Sequence, residues 1–330
     1  LERITPLAER AGAKVLLVGD FAQLQSVDAG GAFNLLVAGR DDAPELVDVH
    51  RFTNAREKTA SLALRHGRTA VIGTYLDHDR IRGGEADLMT DAAYSAWRAD
   101  RESGLASVLV AETRDQATAL NTRARADHIL DGTLTPGPEV ELADGTMAGA
   151  GDTIITRRND RRLRNGKDWV RNGDTWAIKD VRDDGSVTIR RTGRRFGGAI
   201  VLPAAYVAEH VDLGYAVTAH RAQGITTDTA HVLVEPTTTR ENFYVSMTRG
   251  KRSNHAYVVL DRADEGHAAP HPGDNPDATA RSVLYGVLQH VGAELSANET
   301  ITNEQEQWGS VAQLAAEYET IATEAQHDRW

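Results

Sequence analysis

The sequence predicts an α/β fold in which a parallel-sheet domain is interrupted by a small antiparallel β-barrel and followed by a C-terminal helical tail. Three observations predict it. Short, continuous apolar runs recur along the chain with helical stretches between them, which is the rhythm of a parallel sheet. A proline-bounded stretch of short, alternating, β-branched segments breaks that rhythm. Behind both lies a linker rich in Pro, Gly and His, and then two segments with apolar residues at helical spacing.

Taken in order, Lys14-Val-Leu-Leu-Val-Gly-Asp20 is an apolar run bounded by charge and then Gly-Asp. It reads as a buried parallel strand ending in a loop. Ser107-Val-Leu-Val-Ala111, Ala230-His-Val-Leu-Val234 and His255-Ala-Tyr-Val-Val-Leu260 read the same way. Between them, Arg114 to Leu130 places Ala117, Leu120, Ala124 and Ile129 near one face of a helix. Pro136-Gly-Pro138 opens the interruption. Asp152-Thr-Ile-Ile-Thr156, Thr175-Trp-Ala-Ile-Lys179 and Ser186-Val-Thr-Ile-Arg190 are its strands, and Asp184-Gly185 is the turn signal between the last two. The barrel is expected over residues 136–205. Past Asp261 a linker leads to one helix with Val283, Leu284, Val287, Leu288 and Val291 on a face. A second follows with Trp308, Val311, Leu314, Tyr318 and Ile321, and Ser296 to Glu299 forms a capping box ahead of it.

Composition narrows the function. The chain has 330 residues and no cysteine, which excludes disulfides, thiolate metal sites and a cysteine nucleophile and suits a reducing cytoplasm. No apolar run is long enough for a membrane helix, so membrane insertion is not expected. Leu1 rather than Met opens the chain, which is therefore read as a piece of a longer protein. The net charge is -11, but it is unevenly spread. Residues 261–330 carry 13 Asp/Glu against 3 Arg, whereas residues 156–195 carry 13 Lys/Arg against 6 Asp. A basic segment in the body with an acidic tail behind it fits contact with a polyanion, or simply a solvated face.

Several segments carry candidate chemistry. Gly19 and Asp20, with Gln23 behind them, end the first strand at the edge where parallel sheets bind ligands. A Gln there can contact a phosphate oxygen or orient a water. Arg51, in Val49-His-Arg-Phe52, suits a planar, bidentate phosphate contact. Thr218-Ala-His220-Arg-Ala-Gln223-Gly224 has the small and polar groups of a turn entering a helix, where free N–H groups meet phosphates. Arg249 precedes a strand and is placed to reach across a cleft as an arginine finger. Arg161, Arg162, Arg164, Trp169 and Trp176 interleave cations and aromatics in the barrel. That pattern holds a single strand of nucleic acid without reading its sequence, while core packing of the two tryptophans is an equal alternative.

In order and at these gaps, four segments resemble the later motifs of superfamily 1 helicases. Leu17-Val-Gly-Asp-Phe-Ala-Gln-Leu-Gln25 resembles motif III and Val49-His-Arg-Phe52 motif IV. Ala216-Val-Thr-Ala-His-Arg-Ala-Gln-Gly224 resembles motif V, and Tyr244-Val-Ser-Met-Thr-Arg-Gly-Lys-Arg252 motif VI. Val108 to Arg123 and the barrel segment are similar to the RecD-like branch, and the tail resembles the TrwC/TraI-type (MobF) conjugative relaxase-helicases. The resemblance implies the end of a first RecA-like domain at 1–40 and a second RecA-like domain at 41–135 and 206–262. It also implies a Src-homology-3-like barrel at 136–205 and an acidic helical tail at 263–330. It implies that Gln23 senses the γ-phosphate, and that Arg51 and Arg249 contact phosphate. Gly19, Asp20 and Gly224 would line the nucleotide cleft. Thr218, His220 and Gln223 would link it to single-stranded DNA.

The implied cofactors are ATP and Mg²⁺ in the complete protein. The implied partners are single-stranded DNA, the N-terminal half of the same protein and conjugation accessory proteins. No Gly-x4-Gly-Lys-Ser/Thr occurs in the sequence and no Asp-Glu pair precedes Lys14. The loop that cradles phosphates and the carboxylate that holds Mg²⁺ are therefore not expected in this chain, nor is tight ATP binding or hydrolysis by it alone. The alternatives are a non-catalytic single-stranded-DNA-binding or scaffold module and a RecD-like exonuclease subunit.

Overall fold

The computed structural model describes residues 3–24, 33, 36–37, 40, 43–46, 48–192, 198–260 and 279–292. These fall into two compact units. One holds the described residues up to Phe21, those from 33 to Glu45, and Gly292; the other holds Ala22–Leu24 and the described residues from Leu46 to Val291.

In the first unit, helix α1 (Thr5–Arg10) has a proline in its first turn and buries none of its residues. The run from Lys14 to Asp20, expected as a buried strand, is not one. It has no ladder partner among the described residues, and Leu16 and Val18 are 85% and 80% exposed. A parallel strand is held only by its neighbours, and apolar composition alone does not make one.

The second unit begins with α2 (Ala55–Arg65), capped by the Asn54 side chain, and α3 (Val71–Leu76). Then come β1 (Ile81–Gly84), α4 (Ala86–Glu102), β2 (Ser107–Ala111) and α5 (Arg114–Leu130). β2 is buried at every position, which is why it reads as a continuous apolar run. α5 starts where Thr113 accepts the Gln116 N–H at 3.1 Å, and it buries Ala117, Leu120 and Ala124 as its spacing predicts.

The interruption supplies β3 (Glu139–Glu141), β4 (Met147–Gly149), β5 (Thr153–Thr156), β6 (Asp160–Asn165), β7 (Asp168–Val170), β8 (Thr175–Val181), β9 (Val187–Arg191) and β10 (Ile200–Leu202). Helix α6 (Ala204–His210) and β11 (Val211–Leu213) complete it. The chain then resumes with β12 (Ala216–Thr218), α7 (Ala219–Ala222), β13 (Thr227–Val234), α8 (Arg240–Ser246), β14 (Gly250–Val259) and α9 (Ala280–Gln289).

Two five-stranded sheets organise these elements. The order β1-β14-β13-β2-β12 is parallel throughout. The order β10-β9-β8-β5-β11 is antiparallel throughout, and β3-β4 and β6-β7 form separate two-stranded ribbons. Because β11 pairs with β5, the antiparallel part extends to Leu213, past the expected boundary at 205. One apolar cluster runs through both sheets, joining Trp97, Leu109 and Leu120 to Trp176, Ile189 and Val211. The insertion thus shares a core with its host. The helix expected at residues 283–291 is α9, headed by a Thr279–Ser282 capping box and burying Leu284, Val287 and Leu288. The second tail helix, its capping box and the linker before α9 lie outside the described residues. No helix among the described residues is long and apolar enough to cross a membrane.

Candidate functional site

The carboxyl edge of the parallel sheet is where a ligand site is sought. β2 runs out there into Glu112 and Thr113, β12 into Thr218, and β13 into Glu235. Thr218 heads α7, half-buried, and its hydroxyl makes no capping bond. His220, Gln223 and Gly224 follow, all exposed. Gly224 has φ +87, a conformation open to glycine, while a Cβ there would meet no neighbour.

Sequence segments far apart meet at the opposite end of the sheet, where β13 and β14 begin. The Gln223 Nε2 donates to the Gln23 Oε1 at 3.2 Å, across 200 residues of sequence. Arg51 Nη1 donates to the Thr248 carbonyl at 2.6 Å. The Thr53 N–H and hydroxyl both donate to the Lys251 carbonyl, at 3.0 and 3.1 Å. The loop between α8 and β14 is thereby held from the Arg51 side. Asn254 accepts the Gly250 N–H at 2.8 Å and donates to Glu57 of α2 at 3.2 Å. Gly250 must be glycine, because a Cβ there would lie 2.1 Å from the Ser253 carbonyl. Gly19 and Asp20 belong to the first unit, Gly19 exposed and Asp20 half-buried.

Arg249 is not an outstretched finger in this structure. It is 1% exposed, and its guanidinium turns into the body. It donates to the Val245 carbonyl at 2.6 Å, to those of Ala222 and Ile225 at 3.4 Å, and to the Thr248 hydroxyl at 2.8 Å. Arg249 therefore ties α7 to α8, which a reading of sequence position alone does not reveal.

In the insertion, Arg161, Arg162 and Arg164 are exposed on β6. Arg162 shares its charge with Asp160, at 2.8 Å. Trp169 on β7 is half-buried, with the guanidinium carbons of Arg161 and Arg171 5.3 and 4.9 Å from its ring centre. Trp176 corrects the expectation of a stacking residue. It is 1% exposed, and its indole N–H donates to the Thr156 hydroxyl at 3.3 Å, so no base can reach it. On the central strand β8 its side falls inward, whereas Trp169 lies on a separate ribbon.

Two charged clusters escaped sequence reasoning. Glu112 accepts from the Thr238 hydroxyl at 2.8 Å and from the Asn242 amide at 3.1 Å; burial, with Glu235 nearby, pushes its carboxyl up to about 7. Asp212, 1% exposed on β11, meets Arg221 at 2.5 Å and Arg157 at 3.3 Å. Its sequence signal is a lone carboxylate between Val211 and Leu213.

Residues 1–86 match the family model of an AAA domain. A probable conjugal transfer protein TraA of Sinorhizobium fredii is 31% identical over 261 residues, covering 76% of this chain and 22% of that protein. An uncharacterized protein of Mycobacterium tuberculosis is 34% identical over 131 residues, covering 39% of this chain and 72% of its own length. Among solved structures, the Pif1 helicase from Bacteroides in complex with ADP-AlF3 and ssDNA matches with a TM-score of 0.46 and 14% identity, over 92% of this chain and 68% of that one. The chain spans about a fifth of the TraA relative's length.

The parallel sheet with its flanking helices defines an α/β domain. The chain belongs to the family of the Mycobacterium tuberculosis protein, 72% of which it covers, and over about three quarters of its own length it is similar to TraA.

Proposed function

We propose that this chain is the rear part of an ATP-driven DNA translocase within a conjugative relaxase-helicase of the RecD-like, MobF branch. It carries part of a single-stranded DNA track and completes, rather than builds, an ATP site. The observation that supports this reading most directly is the Gln23–Gln223 hydrogen bond. It joins the motif III-like segment to the motif V-like one, in the arrangement a device needs to couple a nucleotide to a strand. Thr218, His220 and Gln223 on one side, and Arg161, Arg164 and Trp169 on the other, are the DNA-facing candidates.

The residues present do not fit ATP and Mg²⁺ by themselves. The sequence contains no phosphate-cradling loop, and Arg249 is committed to carbonyls of its own unit. The nucleotide site is assigned to the N-terminal half of the complete protein, where Gln23 and Arg51 would complete it and Arg249 would brace α7 against α8. The finding that favours a non-catalytic DNA-binding module instead is this same burial of Arg249.

The test is an ATPase assay on the purified chain with and without single-stranded DNA. No turnover is expected. Turnover that survives Arg51→Ala identifies a contaminating enzyme, and turnover abolished by it in protein that still melts cooperatively overturns the assignment of the ATP site to another segment.

A further inference from the structure

The cluster around Asp212 holds more positive charge than a structural ion pair needs. Asp212 is 1% exposed, and its two carboxylate oxygens face different arginines, Oδ2 meeting Arg221 Nη1 at 2.5 Å and Oδ1 meeting Arg157 Nη1 at 3.3 Å. The antiparallel register sets Asp212 opposite Ile155, so Arg157, two residues on, lies diagonally across on the same face. Arg221 comes from α7, which follows β12 of the parallel sheet. Arg114, the first residue of α5, is exposed, acts on Arg221 electrostatically, and makes no ion pair among the described residues.

Burial holds the Arg221 guanidinium below the ordinary arginine range. Attraction by Asp212 works against that, and repulsion from Arg157 and Arg114 adds to it. Two guanidinium groups therefore meet one carboxylate, and that of Arg114 stands within electrostatic range of Arg221. One arginine neutralises a buried carboxylate, and further like charges at this range cost free energy unless another anion joins them. Arg157 and Arg221 remain 33% and 21% exposed, and each places a single nitrogen on Asp212, so most of their donors stay available.

We infer that Arg114, Arg157 and Arg221 form a seat for a phosphate group at the seam between the two sheets, with Asp212 as the internal carboxylate that aims two of them. The seat takes a phosphodiester of a single-stranded backbone, since Arg114 and Arg221 lie on the segments that follow β2 and β12 at the carboxyl edge, beside Thr218 and His220. This rests on the reading of the chain as part of a DNA track and adds to it a contact shared by insertion and host sheet. Asp212 has two consequences. It orients the guanidinium groups in advance of binding, and it competes with the incoming phosphate for their charge.

The experiment is fluorescence anisotropy of a labelled oligo-dT titrated with the 330-residue chain across a series of salt concentrations. A parallel arm uses tripolyphosphate alone, read by thermal shift. The double variant Arg114→Gln/Arg157→Gln keeps the Arg221–Asp212 pair and so the fold. It is expected to weaken oligonucleotide binding about tenfold at low salt and to flatten the log–log salt slope by up to about 0.7. Asp212→Asn, in protein that still melts cooperatively, is expected to tighten binding several-fold. A purely bracing carboxylate predicts the opposite sign. If wild type binds and the double variant keeps the same slope and affinity, the seat is wrong and the DNA-track reading stands. If only tripolyphosphate binds, and the double variant abolishes it, the seat holds and the DNA-track reading falls. Binding of neither ligand to wild type overturns both.

Discussion

Asn121 and Ala216 meet twice. The Asn121 Oδ1 accepts the Ala216 N–H at 2.8 Å, and its Nδ2 donates to the Ala216 carbonyl at 3.0 Å. The same Oδ1 also accepts the Tyr215 N–H at 2.9 Å. One side chain of α5, 2% exposed, thus clasps the backbone where the chain leaves β11 of the insertion and joins the parallel sheet as β12. Tyr215 extends the clasp, its hydroxyl donating to Asp152 at 2.7 Å, and Asp152 in turn accepts from Arg125 of α5 at 2.9 Å. α5 therefore ties the two sheets together through polar groups that are buried or nearly so.

Removing that clasp strands buried backbone groups. Asn121→Ala is expected to cost about 2–4 kcal/mol in urea unfolding, because two N–H groups and a carbonyl lose their partner without gaining solvent. Asn121→Asp keeps the acceptor and loses the donor, and should fall between the two. Wild-type stability in the alanine variant would show that the β11–β12 junction is held by its ladders alone.

A buried histidine and a half-buried one stacked on it make stability fall in acid. His231 and His255 stack on adjacent strands, ring centres 5.4 Å apart. His231 bridges the Tyr257 hydroxyl at 3.0 Å and Asp100 at 2.9 Å, while Arg80 sits 2.7 Å from His255 Nε2. Burial, then the Arg80 and His231 charges, lower His255 to about 4; burial also lowers His231, and Asp100 opposes this. These are bases with depressed folded values, so the unfolded chain takes up protons first. Their contribution is complete above the unfolded value of about 6.5 and is lost as pH falls toward 4. Between pH 7 and pH 4.5, wild type should lose about 2–3 kcal/mol more than His255→Gln does. Parallel stability profiles would assign the acid loss to carboxylates elsewhere.

Glu112 works in the opposite direction. Its folded value of about 7 lies above the ordinary carboxylate value, so the folded state binds the proton more tightly. The contribution is complete below about pH 4.5 and disappears as pH rises through 7. Glu112→Gln keeps an acceptor for Asn242 and a group that can meet the Thr238 hydroxyl. It should gain about 1–2 kcal/mol over wild type at pH 8 relative to the difference at pH 5. A pH-independent difference would mean that Glu112 is ionised throughout at no cost.

How much of this was legible in the sequence follows from what each feature depends on. β2 and α5 were readable, because five consecutive buried positions and a 3.6-residue apolar period are local patterns. Asp184-Gly185 was readable because φ +77 at Gly185 is a local demand. The run at Lys14–Asp20 carried an equally clear pattern and is not a strand, since a ladder depends on neighbours that the pattern does not contain. The pairing of β11 with β5 carried the insertion past residue 205 for the same reason. At the site, Gln23, Arg51, Gln223 and Arg249 could be named individually. That Gln23 meets Gln223 and that Arg249 faces inward are tertiary facts. Arg157 and Arg221 come together only because Asp212 lies between them.

The two tryptophans of the insertion separate recognition from folding. Trp176 fills the core and Trp169 lies half-buried beside Arg161 and Arg171, so equal truncations should have unequal consequences. Trp176→Ala removes one of the largest fully buried side chains and should cost about 3–5 kcal/mol, leaving little folded protein. Trp169→Ala should cost less than about 1 kcal/mol of stability. If it stacks on a base, the same change should weaken oligo-dT binding by about 1–2 kcal/mol, five- to thirty-fold, at every salt concentration. The salt slope should be unchanged, because an indole releases no counterions, and this distinguishes Trp169 from the arginines around it. Trp169→Phe, which keeps a stacking surface, should recover most of the affinity. An alanine variant that binds as tightly as wild type would leave Trp169 as a prop for the Arg161 and Arg171 side chains and transfer the grip on DNA to charge alone.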